Sequence, residues 1–171
     1  MSSNREIPTH TSRKISGDHG SPAMSNVRAI LAQQLLRSDT FARLAYTSVD
    51  GTPRVLPIWF HWTGEEMVFG TPLHSKKVKT LTSNPAVAVT VDTQQAPPSA
   101  LLLRGRVTIT EHDDIFEDWY AAARRYLGDE AAVEWRAGYR SMPFRWARIA
   151  LHPDWVALLD FQTRLPGPMA G

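Results

Sequence analysis

Cysteine is missing altogether from this chain. That excludes disulfides, thiolate nucleophiles and thiolate metal sites, and it suits a reducing compartment, so a cytoplasmic protein is expected. Charge of one sign is scarce as well: 19 Lys and Arg stand against 17 Asp and Glu, a net of +2. A nucleic-acid-binding domain shows a larger basic excess or a one-sided basic cluster, so no nucleic-acid partner is expected. Lys76, Lys77 and Lys79 form the one lysine cluster, and any anion they meet must be small. No apolar run approaches the roughly 18 residues that span a bilayer, so no membrane partner is expected. The first 23 residues lack the apolar middle of a signal peptide. Two catalytic devices are also absent: no Ser sits in a Gly-x-Ser-x-Gly elbow, and neither common glycine-rich phosphate loop occurs. Any enzyme chemistry here must therefore be carried by a cofactor, with the protein supplying position and electrostatics.

What is present is apolar material for one ordinary domain: 43% of 171 residues are hydrophobic. Met1–Ala23 has almost no large apolar side chains and cannot offset its ordering entropy, so residues 1–23 read as a flexible tail and 24–171 as the domain. Ser25 is placed to cap a helix whose apolar positions are Val27, Ile30, Leu31, Leu35 and Leu36. Phe41–Val49 then reads as a strand, Asp50-Gly51 as a hairpin turn, and Arg54–Trp62 as the returning strand. Thr63-Gly64-Glu65 turns the chain into a strand at Met67–Thr71, followed by a helix over Pro72–Leu81 that ends near Asn84-Pro85. Strands at Ala86–Asp92 and Ala100–Thr110 follow, then helices at Asp113–Tyr126 and from Asp129 or Glu130 to Tyr139, broken at Gly128. Phe144–Leu151 and Trp155–Phe161 read as two final strands turned at His152-Pro153-Asp154. Strands apolar on both faces, with Leu56, Ile58 and Phe60 on one side and Val55 and Trp59 on the other, suit a small barrel covered by helices or by a second subunit.

Pro57 is a misfit inside a good strand, because it cannot donate to a ladder. It marks an edge or bulge, or a backbone that faces a ligand; the two are compatible. Ser75-Lys76-Lys77 places a hydroxyl and two ammonium groups at a helix start. Free N–H groups and the helix dipole favour an anion there, and each charge-assisted hydrogen bond to a phosphate contributes about 1.5–3 kcal/mol. By spacing alone the same residues also suit a solvated helix face. Trp59-Phe60-His61-Trp62 serves as core, interface or ligand wall, and alternation prevents all four from lining one cavity. Arg104 and Arg106 point to one side of a strand and need partners: carboxylates, a phosphate or a second subunit. His112-Asp113-Asp114 and His152-Pro153-Asp154 are better explained by capping and turns than by a metal, and no metal is expected.

Arg54-Val55-Leu56-Pro57-Ile58-Trp59, a turn, Phe69-Gly70-Thr71, then Ser75-Lys76-Lys77-Val78 and Asn84-Pro85 together resemble the pyridoxamine 5′-phosphate oxidase-like superfamily, which includes enzymes that use the deazaflavin coenzyme F-420. The resemblance spans roughly Leu36 to Phe161 and implies a mostly β, α+β fold with flanking helices: a homodimeric split β-barrel of the FMN-binding type. It implies that Ser75, Lys76 and Lys77 hold the cofactor phosphate, that Thr71 bonds the flavin, that Arg54 reaches the phosphate or ring edge, and that Val55, Leu56, Pro57, Ile58 and Trp59 belong to the ring wall. It further implies FMN, or alternatively F-420, at the interface of a homodimer, with hydride transfer to or from a small conjugated or heteroaromatic substrate. A flavin-binding carrier or sensor without turnover is the alternative outside enzymology, and no catalytic side chain is assigned. Only Gln162–Gly171 follows the last strand, with no counterpart of the C-terminal segment that true pyridoxamine phosphate oxidases use, so vitamin B6 oxidation is not expected.

Overall fold

The computed structural model describes residues 22–161. Their elements run α1 (Pro22–Arg37), β1 (Ala42–Thr47), β2 (Pro53–Ile58), β3 (His61–Trp62), β4 (Met67–Pro72), α2 (Lys76–Ser83), β5 (Ala86–Asp92), β6 (Ser99–His112), α3 (Glu117–Leu127), α4 (Asp129–Arg140) and β7 (Trp146–Asp160). All strands belong to one antiparallel sheet in the order β2-β1-β5-β6-β7-β4-β3. Its two outer strands, β2 and β3, are consecutive in the chain, so the sheet curls into a split barrel.

Binary patterning builds the interior. In β5, Val87, Val89 and Val91 are buried, while Ala86 and Ala88 are exposed. Leu44, Phe69, Leu101, Leu103, Ile149 and Leu151 join them from neighbouring strands, and α1 adds Leu35 and Leu36 while α2 adds Val78 and Leu81. A second cluster lies on the opposite face of β4 and β7, where α3 and α4 bring Phe116, Trp119, Trp135 and Tyr139 against Val68, Trp146 and Ala150. The α3–α4 hairpin thus covers one half of the outer face. Among the described residues no helix covers the other half. There, one cross-strand row runs Val55, Ala45, Ala88, Arg104, Trp155 from β2 to β7.

Several boundaries differ from the sequence reading, each for a physical reason. The expected tail lies outside the described residues except for Pro22 and Ala23, which open α1; Pro22 suits a first helical position because its missing N–H is not needed there. Ser25 therefore lies inside the helix, and Ile30, expected on its apolar face, is 57% exposed. The strand expected over Arg54–Trp62 breaks at Trp59-Phe60, where the Arg125 guanidinium donates to the Phe60 carbonyl and lies 4.5 Å over the Phe60 ring. The broken backbone then pairs with β4 as β3. Pro72 is not helical but closes β4 opposite Trp146, so α2 begins only at Lys76.

The expected turn at His152-Pro153-Asp154 does not occur: β7 is continuous, with a bulge opposite Arg104 and Gly105. A bulge accommodates the missing N–H of Pro153, and a Cβ at Gly105 would overlap the His152 carbonyl oxygen. Asp113 and Asp114 precede α3 rather than opening it; they pair with Arg145 and Arg140, and Asp114 also accepts from the Ile115 N–H at 2.7 Å.

Candidate cofactor site

Ser75, Lys76 and Lys77 stand at the start of α2. β4 carries Thr71 into the barrel at 3% exposure, and its hydroxyl lies 3.4 Å from the Ser75 hydroxyl. Ser75 is the N-cap of α2 in extended conformation, yet its side chain caps nothing. The Ser75 carbonyl accepts from Val78 N–H at 3.0 Å, whereas the amides of Lys76 and Lys77 at the first turn have no intrahelical acceptor. No acidic residue occupies the first turn. Lys76 is exposed, whereas Lys77 is half-buried, so the triplet is not wholly the solvated face that spacing alone also allowed. Burial pushes the Lys77 ammonium below the ordinary lysine range, and among the described residues neither lysine forms an ion pair. A half-buried lysine in the same first turn as two amides without an intrahelical acceptor, with two hydroxyls at the turn's start, offers several hydrogen-bond donors to an anion.

The β2 residues divide by face. Leu56 and Ile58 are half-buried toward the core, whereas Val55 is 69% exposed on the bare outer face. Pro57 pairs with Arg43 of β1 and has no strand on its other side, so the misfit marks a sheet edge. Trp59 stacks on Tyr126 with centroids 5.1 Å apart and planes at 9°. Burial pushes the Tyr126 phenol up, and its hydroxyl donates to the Thr40 carbonyl at 3.0 Å. Arg54 stands at the far end of β2, roughly 13 Å along the strand from Ile58, and is tied to Asp50 at 3.1 Å.

The sequence candidates therefore form two groups in one subunit. Thr71, Ser75, Lys76 and Lys77 converge at the start of α2. Val55–Trp59 line the edge of β2, and Arg54 joins neither group. Ile58 shares the core with Val78 of α2, which links the two groups through the barrel interior.

Three cavities touch β2, the one of about 430 Å³ only at Val55, and the other two meet its edge at Pro57. The larger, about 830 Å³, runs past Val55, Leu56 and Pro57 to Arg43, Gln94 and Gln95. The smaller, about 310 Å³, lies on the other side of Pro57. Sequence reasoning missed Arg43 and Gln94-Gln95, because only the pairing of Arg43 with both Pro57 and Thr90 brings the end of β5 beside β2. Arg104, whose partner the sequence left open, lies 4.1 Å over the Trp155 ring on the bare outer face.

A family model described as pyridoxamine 5′-phosphate oxidase matches residues 31–159. The chain belongs to the pyridoxamine 5′-phosphate oxidase family. The match spans both candidate groups and every strand but the last residue of β7. A solved structure of an F420 reductase is similar at 27% identity and TM-score 0.59, over 73% of this chain and 94% of that one. A conserved hypothetical protein from Mycobacterium tuberculosis shares the fold at 16% identity and TM-score 0.60, over 89% and 90% of the two chains. An FAD-binding protein from Mesorhizobium loti does so at 17% identity and TM-score 0.51, over 76% and 92%. A search of curated proteins gives no match. The residues matched include the start of α2, with its unpaired amides and ammonium groups.

Proposed function

We propose that this protein is an oxidoreductase that holds a flavin-type cofactor by its phosphate at Ser75, Lys76 and Lys77. The observation that carries the reading is Lys77: a half-buried ammonium with no carboxylate partner among the described residues, set beside free amides. Leaving such a cation desolvated costs stability, and an anion recovers it. When bound, a flavin or deazaflavin supplies a two-electron centre that accepts or gives hydride, here with a small conjugated or heteroaromatic substrate. Thr71 and Ser75 supply hydroxyl donors, the two lysines neutralise the phosphate, and the β2 edge from Leu56 to Trp59 excludes water from the cofactor's apolar body.

Both FMN and coenzyme F-420 fit these donors. FMN is the expectation from the sequence; the likeness to an F420 reductase supports the deazaflavin, and Arg43 in the larger cavity offers a cation for a longer anionic tail.

The active form in this proposal is a homodimer with the cofactor at the interface. Support comes from the bare outer face, where Val55, Leu159 and Trp155 are 69%, 43% and 38% exposed around the small residues Ala45 and Ala88. Exposed apolar surface of this kind, crossed by Arg104, is what a second subunit covers. Arg54, remote from Lys77 in its own subunit, then serves the site across the interface. Lack of cysteine supports a cytoplasmic setting, and among the described residues no helix is long and apolar enough to cross a membrane.

Purified protein tests the proposal when FMN and F-420 are each added under anaerobic conditions. Binding of one cofactor, reduction of it, and reoxidation by a conjugated acceptor is the expected sequence. Tight binding with no reoxidation across a broad acceptor panel supports the carrier or sensor reading instead, and no binding of either refutes both.

A further inference from the structure

The cavity of about 310 Å³ beside Pro57 is walled by five aromatic rings: Phe41, Trp59, Trp119, Trp135 and Tyr139. Pro57, Ile58 and Gly70 complete it, and among the described residues no charged side chain lines it. Resting on the cofactor reading above, we propose that this cavity seats the second reactant, and that this reactant is a flat, uncharged aromatic of one or two fused rings.

Its walls are set before any guest arrives. Trp59 is fixed by its stack on Tyr126. Trp119 lies against Gly70, where a Cβ would overlap its indole, and packs edge-on against Trp146 at 4.8 Å. Trp135 stands nearly perpendicular to Trp119, at 83° and 5.3 Å, and reaches Trp59 at 5.9 Å. Two aromatic planes at right angles, with a third beside them, form a slot rather than a sphere.

Simple core packing does not account for these rings. Trp146, one layer below, is 1% exposed, whereas Trp59, Trp119, Trp135 and Tyr139 are all only half-buried around one opening. Aromatic surface left open in this way is recovered by a planar guest. Charge is kept out: Asp118, next to Trp119, is committed to Arg148, and Arg136, next to Trp135, to Glu117. A charged guest would therefore be desolvated without a partner. Size decides the rest, because a cavity near the low end of the roughly 300–1,000 Å³ range of ligand sites admits one or two rings and no more. Among the described residues the Tyr139 hydroxyl has no hydrogen-bond partner, which suits a guest carrying one neutral oxygen. The shared Pro57, Ile58 and Trp59 place the cavity against the strand assigned to the cofactor.

The test is calorimetric titration of the full chain, without cofactor, by 2-naphthol and by 2-naphthoate, which share a ring system and differ in charge. The expected result is that 2-naphthol binds at least tenfold more tightly. Trp135→Leu should lose at least tenfold of that affinity while changing FMN or F-420 affinity less than twofold, and Lys77→Ala should do the reverse. Should Trp135→Leu fail to fold by circular dichroism, Phe41→Ala, at a 45%-exposed position, must lose threefold or more. Equal affinities for the two naphthalenes, no binding of either, or wild-type affinity in the wall variant overturns the proposal. Binding of a cofactor without 2-naphthol refutes the cavity alone. Binding of 2-naphthol with neither cofactor refutes the cofactor reading, and with it the role as second reactant, while the cavity stands as a ligand site.

Discussion

Gly70 and Lys77 show how single residues are shaped by what they face. Gly70 sits on β4 where α3 comes closest, and a Cβ there would overlap the Trp119 ring. Gly70→Ala must therefore displace Trp119 or bend the strand. Overpacking of this kind costs about 1–3 kcal/mol or somewhat more, so the urea midpoint should fall clearly; an unchanged midpoint would show that Trp119 does not rest there. Lys77 works through charge. Its pKa is depressed by burial, so between that lowered value and the ordinary lysine value the unfolded chain holds more proton than the folded one. The sign follows: over that alkaline window Lys77 makes stability rise with pH. Lys77→Met should flatten the rise in pH-dependent denaturation of the ligand-free protein. Cofactor affinity should move oppositely, declining as pH passes the lowered pKa and the ammonium loses its charge. An affinity indifferent to pH up to the ordinary lysine range would count against Lys77 as a phosphate ligand.

At the scale of elements, α3 is tied to the sheet by Arg148 of β7. Its guanidinium bonds Asp118 at 2.7 Å and Glu66 at 2.8 Å, with all three side chains mostly shielded from water. Asp118→Asn removes one charged partner from a partly shielded network, and the expected loss is about 1–2 kcal/mol in chemical denaturation; a loss under a few tenths would place the attachment in the aromatic cluster alone. Elements governed by local pattern were legible in the sequence. The alternation AVAVTVD gives β5 with its observed ends, Gly128 separates α3 from α4 at a φ of 86°, and Ser75 stands at the start of α2. Elements governed by distant residues were not. The break between β2 and β3 depends on Arg125, 65 positions from Phe60, and the continuity of β7 through Pro153 depends on the bulge opposite Gly105. The same division runs through the candidate site. Ser75-Lys76-Lys77 is a contiguous motif and reads directly, whereas the aromatic cavity assembles Phe41, Pro57, Trp119 and Trp135 from four elements or their flanks, and no local pattern announces it.

At the scale of the whole molecule, α3 and α4 cover one half of the outer face, and no helix among the described residues covers the other half. Val55→Glu with Leu159→Glu would put carboxylates at two strongly exposed positions of the open half, so folding should be little altered. If that half is the interface of a dimer, sedimentation should show the mass halving, and cofactor affinity should fall with it because the site loses its second subunit; unchanged mass would assign the open face to another purpose. The central claim, however, concerns the start of α2 and is tested most directly by one equilibrium titration. FMN and F-420 are titrated separately, with fluorescence readout, into the wild-type protein and into Lys76→Ala/Lys77→Ala. The account predicts that one cofactor binds the wild type and that the double variant, still folded by circular dichroism, weakens this binding by a hundredfold or more. Equal affinity in the two proteins would contradict it.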